Sequence, residues 1–192
     1  MRFSCVDDRV LAQIGKFVFK TVTIQHERYD GTDTVAFSRC VFHRGDSVGI
    51  LLYDRATDEI VITEQFRVGA AVNGDDPWLK EIVAGSMDVE GEAPEDVARR
   101  EVEEEAPGCK INHIFHATSL YPSPGACTEK LHIFVADIDS SGAATHGGLQ
   151  DHHEDIKVIK MPLKEAYLKL DRGELNTSSL IIGLYWMRQN LG

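Results

Sequence analysis

No apolar run in this 192-residue chain approaches the ~20 residues that a bilayer-spanning helix needs. The N-terminal stretch Met1-Arg-Phe-Ser-Cys-Val-Asp-Asp-Arg9 likewise lacks the apolar segment of a secretory signal. Both absences argue for a cytoplasmic protein. A basic block is missing too: 31 acidic residues stand against 20 basic ones, and the formal net charge is -11. That balance argues against general nucleic-acid or anionic-membrane binding. A phosphate-bearing ligand must then be attracted by bound metal and by a few placed arginines. Cysteines are few. Cys5, Cys40, Cys109 and Cys127 are too widely spaced for a paired metal motif or a dense disulfide framework, and read as buried or free thiols in a reducing compartment. Internal repeats and low-complexity linkers are absent, so the length fits one well-buried domain.

What is present is a mixed pattern. Residues 17 to 43 alternate apolar and polar on either side of Asp30-Gly31, a hairpin signal. Further strands are predicted at Val48 to Tyr53, Glu59 to Thr63, Arg67 to Ala71, Leu79 to Ala84, Ile111 to Leu120, Lys130 to Asp137 and Asp155 to Met161. Helices are predicted at Pro94 to Ala106, Pro162 to Leu170 and Thr177 to Asn190, the last with Asn176 as its cap. Strands interrupted by one helix and closed by two more predict an α/β (α+β) fold, a mixed β-sheet sandwiched between α-helices. The Gly-, Ser- and His-rich segment from Ser140 to His153 is the one long loop, of the kind that is often functional or mobile.

The most informative stretch runs from Gly85 to Gly108. Pro94 suits a first helical turn and Pro107-Gly108 ends the helix. Between them Glu101, Glu104 and Glu105 stand at i, i+3 and i+4, so three carboxylates project from one face within reach of a common ion. The ordinary alternative for a Glu run is a solvated acidic face. Like charges at this spacing cost a helix a few tenths of a kcal/mol per pair, however, and a hard cation reverses the sign of that effect.

Taken with Gly85, Glu92 and Arg100, these residues resemble the Nudix box, G-x5-E-x7-R-E-U-x-E-E-x-G-U with U a bulky aliphatic residue. The core from Glu92 to Glu105 is intact. Six residues rather than five separate Gly85 from Glu92, and Ala106-Pro107-Gly108 stands where Ala-Gly is usual, each a one-residue loop insertion. Glu64-Gln-Phe-Arg67, Pro77-Trp-Leu-Lys-Glu-Ile-Val-Ala-Gly85, Ser123-Pro-Gly125 with Glu129, and Glu154-Asp-Ile156 are similar in order and spacing to the ADP-ribose pyrophosphatase group. Ala71-Val-Asn-Gly74 and the stretch at Gly173-Glu174 are also similar to GDP-mannose hydrolases.

That resemblance implies a Nudix hydrolase domain over residues 46–192, preceded by a β-rich extension over residues 1–45 of the kind relatives use to form homodimers. It implies an Mg²⁺-dependent enzyme, with Mn²⁺ able to substitute, that cleaves ADP-ribose to AMP and ribose 5-phosphate. GDP-mannose or another nucleoside-diphosphate sugar is the alternative substrate, and a non-cleaving ADP-ribose sensor a third reading. Carried over by position, Glu101, Glu105 and the backbone carbonyl of Ala84 would ligate the metal. Glu104 would be a further ligand or would steady the others, and Arg100 would orient them. Arg39, Arg67 and Glu129 match residues that contact substrate. In the loop, Glu154 matches a carboxylate near the metals, while His152 stands where relatives tend to place a glutamate that activates water. Either Glu154 or His152 could be the catalytic base. Trp78 and Phe42 could stack on a base, although aromatics in strands are more often core.

Overall fold

The structure, a computed structural model, describes residues 1–191 apart from the side chain of His152. The chain divides into two units, one of residues 1–46 and 120–130, the other of residues 47–119 and 131–192.

The first unit is an antiparallel sheet of β1 (Phe3–Ile14), β2 (Phe17–His26) and β3 (Phe37–His43). The hairpin expected from residues 17 to 43 is the β2–β3 pair. Its connection is held by Asp30, which accepts from the Thr32 N–H and hydroxyl, and by Gly31 at φ 83°. β1 was not foreseen. Irregularities between Cys5 and Asp7 and between Val10 and Ala12 break its two-residue period, so its sequence does not alternate cleanly. Segment 126–128 joins β3 through Phe42 N–H to Ala126 O at 2.7 Å and Thr128 N–H to Phe42 O at 3.1 Å.

The second unit is built on an eight-stranded mixed sheet. It contains β4 (Ser47–Asp54), β5 (Glu59–Phe66), β6 (Trp78–Glu81), β7 (Val83–Ser86), β8 (Lys110–Leu120), β9 (Leu131–Asp139), β10 (His146–Gly147) and β11 (Ile156–Pro162). The order is β10-β11-β5-β4-β9-β8, with β6 on β5 and β7 on β4. The helices are α1 (Val68–Asn73), α2 (Pro94–Glu105), α3 (Leu163–Asp171) and α4 (Ser178–Asn190).

Strand β4 explains the layers. It is buried along nearly its whole length and runs parallel to β9, which matches the continuous apolar run of a strand covered on both faces. Val48, Ile50 and Leu52 join Val97, Ala98 and Val102 of α2 in one cluster, together with Phe134, Ala136 and Ile138 of β9. Leu51 points the other way, and a Cβ on Gly183 of α4 would stand 3.2 Å from its Cδ2. The period of two thus sends alternate residues to α2 and to α4.

Three local expectations are corrected. Residues 67–71 are not a strand: β5 ends at Phe66, and the Ala-rich run forms α1, closed by Gly74 at φ 87°. The strand expected at Leu79 to Ala84 is two, because the chain changes partner at Ile82, from β5 to β4. Thr177, not Asn176, occupies the N-cap of α4, and its hydroxyl donates to the Lys80 carbonyl at 2.6 Å. Among the described residues no helix is long and apolar enough to cross a membrane, and all four cysteines are free.

Because Ile50 is fully buried at the centre of this sheet, Ile50→Ala should cost about 2–5 kcal/mol of stability, read from the midpoint of urea unfolding.

Candidate active site

Helix α2 begins with Pro94 at its first position and Glu95 and Asp96 in its first turn, both favourable to the positive end of the helix dipole. Its buried face consists of Val97, Ala98, Glu101, Val102 and Glu105. Two members of that core-facing stripe are therefore carboxylates, Glu101 only 8 % and Glu105 only 4 % exposed. A packing role would be served by apolar residues there.

Each buried carboxylate has a defined neighbour. Glu105 Oε2 accepts the Ala84 N–H at 3.0 Å. That N–H is turned away from the β4 partner Gly49, and a strand residue points its N–H and C=O to the same side, so the Ala84 carbonyl is presented on the edge facing α2. Glu101 lies over Gly85, where a Cβ would overlap its carboxyl group; the glycine is the space that the carboxyl occupies. Arg100 Nη1 donates to Glu101 Oε1 at 2.8 Å and to Glu104 Oε1 at 3.4 Å, and its Nε lies 3.6 Å from Glu92 Oε1. Arg100 thus orients the helix carboxylates.

The loop carboxylate comes to the same place. Glu154 is within electrostatic reach of both Glu101 and Glu105, and its Oε2 accepts the Leu149 N–H at 3.0 Å. Arg67 also reaches Glu105 electrostatically, while its Nε donates to Glu81 Oε2 at 2.5 Å. Residue Glu81 had no role assigned from the sequence; its place opposite Thr63 on β6 sets the Arg67 side chain. The loop itself is fastened. Ser140 donates its N–H and hydroxyl to buried Asp54, and the Ala144 and Gly148 N–H groups donate to the Pro107 and Glu104 carbonyls, each at 2.8 Å.

Arg39 and Glu129 belong to the first unit. Arg39 is exposed, its guanidinium 4.6 Å from the Phe37 ring centre, and Glu129 lies 3.6 Å from Arg44. The His152 side chain lies outside the described residues. Trp78 meets Phe66 edge-on at 5.8 Å, on the face of β5 opposite to Gln65 and Thr63; Phe42 stacks on Phe17 at 5.9 Å.

The charge balance of the cluster decides what it can hold. Burial pushes the Glu105 carboxyl up from 4.5 to about 8, and Glu101 and Glu154 add to the rise; the Ala84 N–H and Arg67 oppose it without cancelling it. Glu101 is raised as well, first by burial and then by Glu104 and Glu154 against the pull of Arg100. Among the described residues no three His, Cys, Asp or Glu side chains are closed around one point; Glu101, Glu105 and Glu154 each give an oxygen to a donor within the chain. An all-oxygen donor set with uncompensated negative charge fits a hard divalent cation.

A NUDIX domain model matches residues 43–181. The ADP-ribose pyrophosphatase of Haemophilus influenzae is 35% identical over 179 residues, covering 92% of this chain and 82% of the relative. That of Escherichia coli K12 is 34% identical over 174 residues, covering 91% and 82%. The GDP-mannose pyrophosphatase of Cronobacter sakazakii is 35% identical over 179 residues, covering 92% and 90%. A crystal structure of an ADP compounds hydrolase superposes with a TM-score of 0.71 at 20% identity, covering 100% of this chain and 95% of the other, and so shares the fold.

The raised Glu105 has a pH consequence. Between pH 4.5 and about 8 the folded, metal-free protein keeps a proton that the unfolded chain loses, so its stability should fall as pH rises through that window. Thermal melts in EDTA should show the fall. Mg²⁺ should reverse it by favouring the charged carboxylate, and Glu105→Gln should flatten it.

Proposed function

Since the chain belongs to the Nudix family and is a Nudix hydrolase, its matched region taking in well over half its length, we propose that it cleaves the pyrophosphate of ADP-ribose to AMP and ribose 5-phosphate in an Mg²⁺-dependent reaction. The observation that carries this reading is the buried Glu105, pushed up to about 8 beside Glu101 and Glu154, with Glu101 seated over Gly85 of β7. Glu101, Glu105 and the Ala84 carbonyl would hold the cation, with Glu104, steadied by Arg100, as a further oxygen donor. When bound, the cation neutralises phosphate charge and lowers the pKa of water. Glu154 takes the proton of the attacking water from a position already near both helix carboxylates.

Arg67 is the phosphate-binding arginine of this unit. Glu81 holds its Nε, so the two terminal nitrogens form the edge that it can offer to paired oxygens. Arg39 and Glu129 are proposed substrate contacts on their sequence resemblance. Exposed apolar side chains on β1, Phe3, Val6, Val10 and Ile14, support a homodimer formed through the N-terminal sheet, and four free cysteines suit a cytoplasmic location. A GDP-mannose substrate is the second reading, favoured by a GDP-mannose pyrophosphatase that is as similar as the ADP-ribose enzymes.

Phosphatase-coupled assays over ADP-ribose, GDP-mannose and dinucleoside polyphosphates test the choice. ADP-ribose should give the highest kcat/KM, and EDTA should abolish turnover. Glu105→Gln should lower kcat by roughly 10²-fold or more, about 3 kcal/mol of transition-state stabilisation. Full activity in EDTA would refute the metal requirement, and a preference for GDP-mannose would move the assignment to the second substrate.

The base is tested separately. Glu154→Gln should lower kcat sharply with little change in KM, and His152→Ala should have a small effect. If His152→Ala is the crippling change and the acidic limb of the pH–rate profile lies near the ~6.5 of imidazole, the base is the histidine.

A further inference from the structure

Two glycines outside every residue assigned above make the closest approach of the 140–155 loop to α2. A Cβ on Gly147 would overlap the carbonyl group of Glu105. Gly148, at φ +92°, donates its N–H to the Glu104 carbonyl at 2.8 Å, and a Cβ there would stand 2.9 Å from Glu154 Cβ. The next residue, Leu149, donates its N–H to Glu154 Oε2. Three consecutive residues thus touch the backbone under two helix carboxylates and the side chain of the loop carboxylate. From the other side, Gly147 pairs with Ile156 on β11, so the segment is gripped between the sheet and the last turn of the helix.

We propose that Gly147 and Gly148 are positioning residues of the carboxylate site, and that docking of their backbone on α2 and binding of a divalent cation stabilise each other. The proposal rests on reading α2 as the cation-binding helix. Docking brings Glu154 within electrostatic reach of Glu101 and Glu105, and once ionised these carboxylates oppose it. A cation among them changes the sign of that interaction. By reciprocity, whatever docking gains from the cation, cation binding gains from docking. Only a residue without a Cβ allows the approach at 147, and only glycine adopts the left-handed backbone at 148 without strain.

Amide hydrogen exchange on the wild-type protein in EDTA and in Mg²⁺ tests the coupling directly. The Gly148 and Leu149 amides should exchange at least about tenfold more slowly with Mg²⁺, within the usual range for coupled sites. Gly147→Ala, if folded by circular dichroism, should bind Mn²⁺ about tenfold or more weakly by electron paramagnetic resonance, and should lose kcat with KM for ADP-ribose little changed. Gly69→Ala adds the same methyl group where nothing lies within 4 Å and should match wild type in all three measurements. Wild-type protein that binds Mn²⁺ but shows no change in loop exchange, or a folded Gly147→Ala with wild-type Mn²⁺ affinity, overturns the coupling alone. Wild-type protein that binds no Mn²⁺ overturns the cation-binding helix and the coupling together.

Discussion

The hydrogen bond from the Ala84 N–H to Glu105 joins the sheet to the carboxylate helix, and the chemistry of the site follows from how little else compensates that acid. The second unit buries another carboxylate, Asp54, at the far end of β4. Asp54 accepts the Ser140 N–H and hydroxyl and the Ala56 N–H, and these donors hold its carboxyl below the ordinary value in spite of burial. Glu105 is as little exposed but more densely enclosed, with one backbone donor and a more distant guanidinium, and burial pushes it up instead. Burial is the largest influence on Glu105, whereas the hydrogen bonds from Ser140 are the largest on Asp54. Asp54 is a structural link that fixes the start of the long loop; Glu105 is a buried acid with a perturbed carboxyl, the kind of group that clusters at functional sites.

Strand β4 sets the distances between these parts. Its first half carries β7, and so Ala84 and Gly85, at one edge and β9 at the other; its second half turns its edge to β5. The α2 cluster on one face of β4 and the α4 contact at Leu51 on the other leave it little freedom to shift. The carboxylate cluster therefore stands on regular elements, and the loop supplies Glu154 from a segment that is itself bonded to Asp54, Pro107 and Glu104.

Much of this was legible in residue spacing. Glu101, Glu104 and Glu105 share a helix face because the helical period is 3.6, and that holds wherever the helix packs. The apolar run of β4 and the helices at Pro94, Leu163 and Ser178 were visible for similar local reasons. What the sequence did not show depends on partners distant in the chain. The exchange of partners at Ile82 and the pairing of Arg67 with Glu81 are tertiary, and β1 is masked by irregular register. The reading of residues 140–153 as a loop, functional or mobile, did not extend to its backbone bonds to α2. Its signal was the Gly147-Gly148 doublet, since adjacent glycines often mark a close backbone approach.

The same comparison of donors and acceptors separates the two arginines of the site. Arg100 faces Glu92, Glu101 and Glu104, three carboxylates around one guanidinium, so its Nε and Nη1 are engaged by groups it holds in place. A phosphate brought there would have to displace a carboxylate of the site itself. Among the described residues Arg67 is ion-paired with Glu81 through its Nε, and it stands close enough to Glu105 to oppose the rise of that carboxyl. In a chain of net charge -11 the general field repels a polyphosphate. Attraction must be local, and Arg67 is a cation within electrostatic reach of Glu105 whose ion pair is with Glu81 rather than with the helix carboxylates. Arg100 holds the helix carboxylates in place, and the pairing of Arg67 with Glu81 is what supports its proposed part in receiving the substrate's charge.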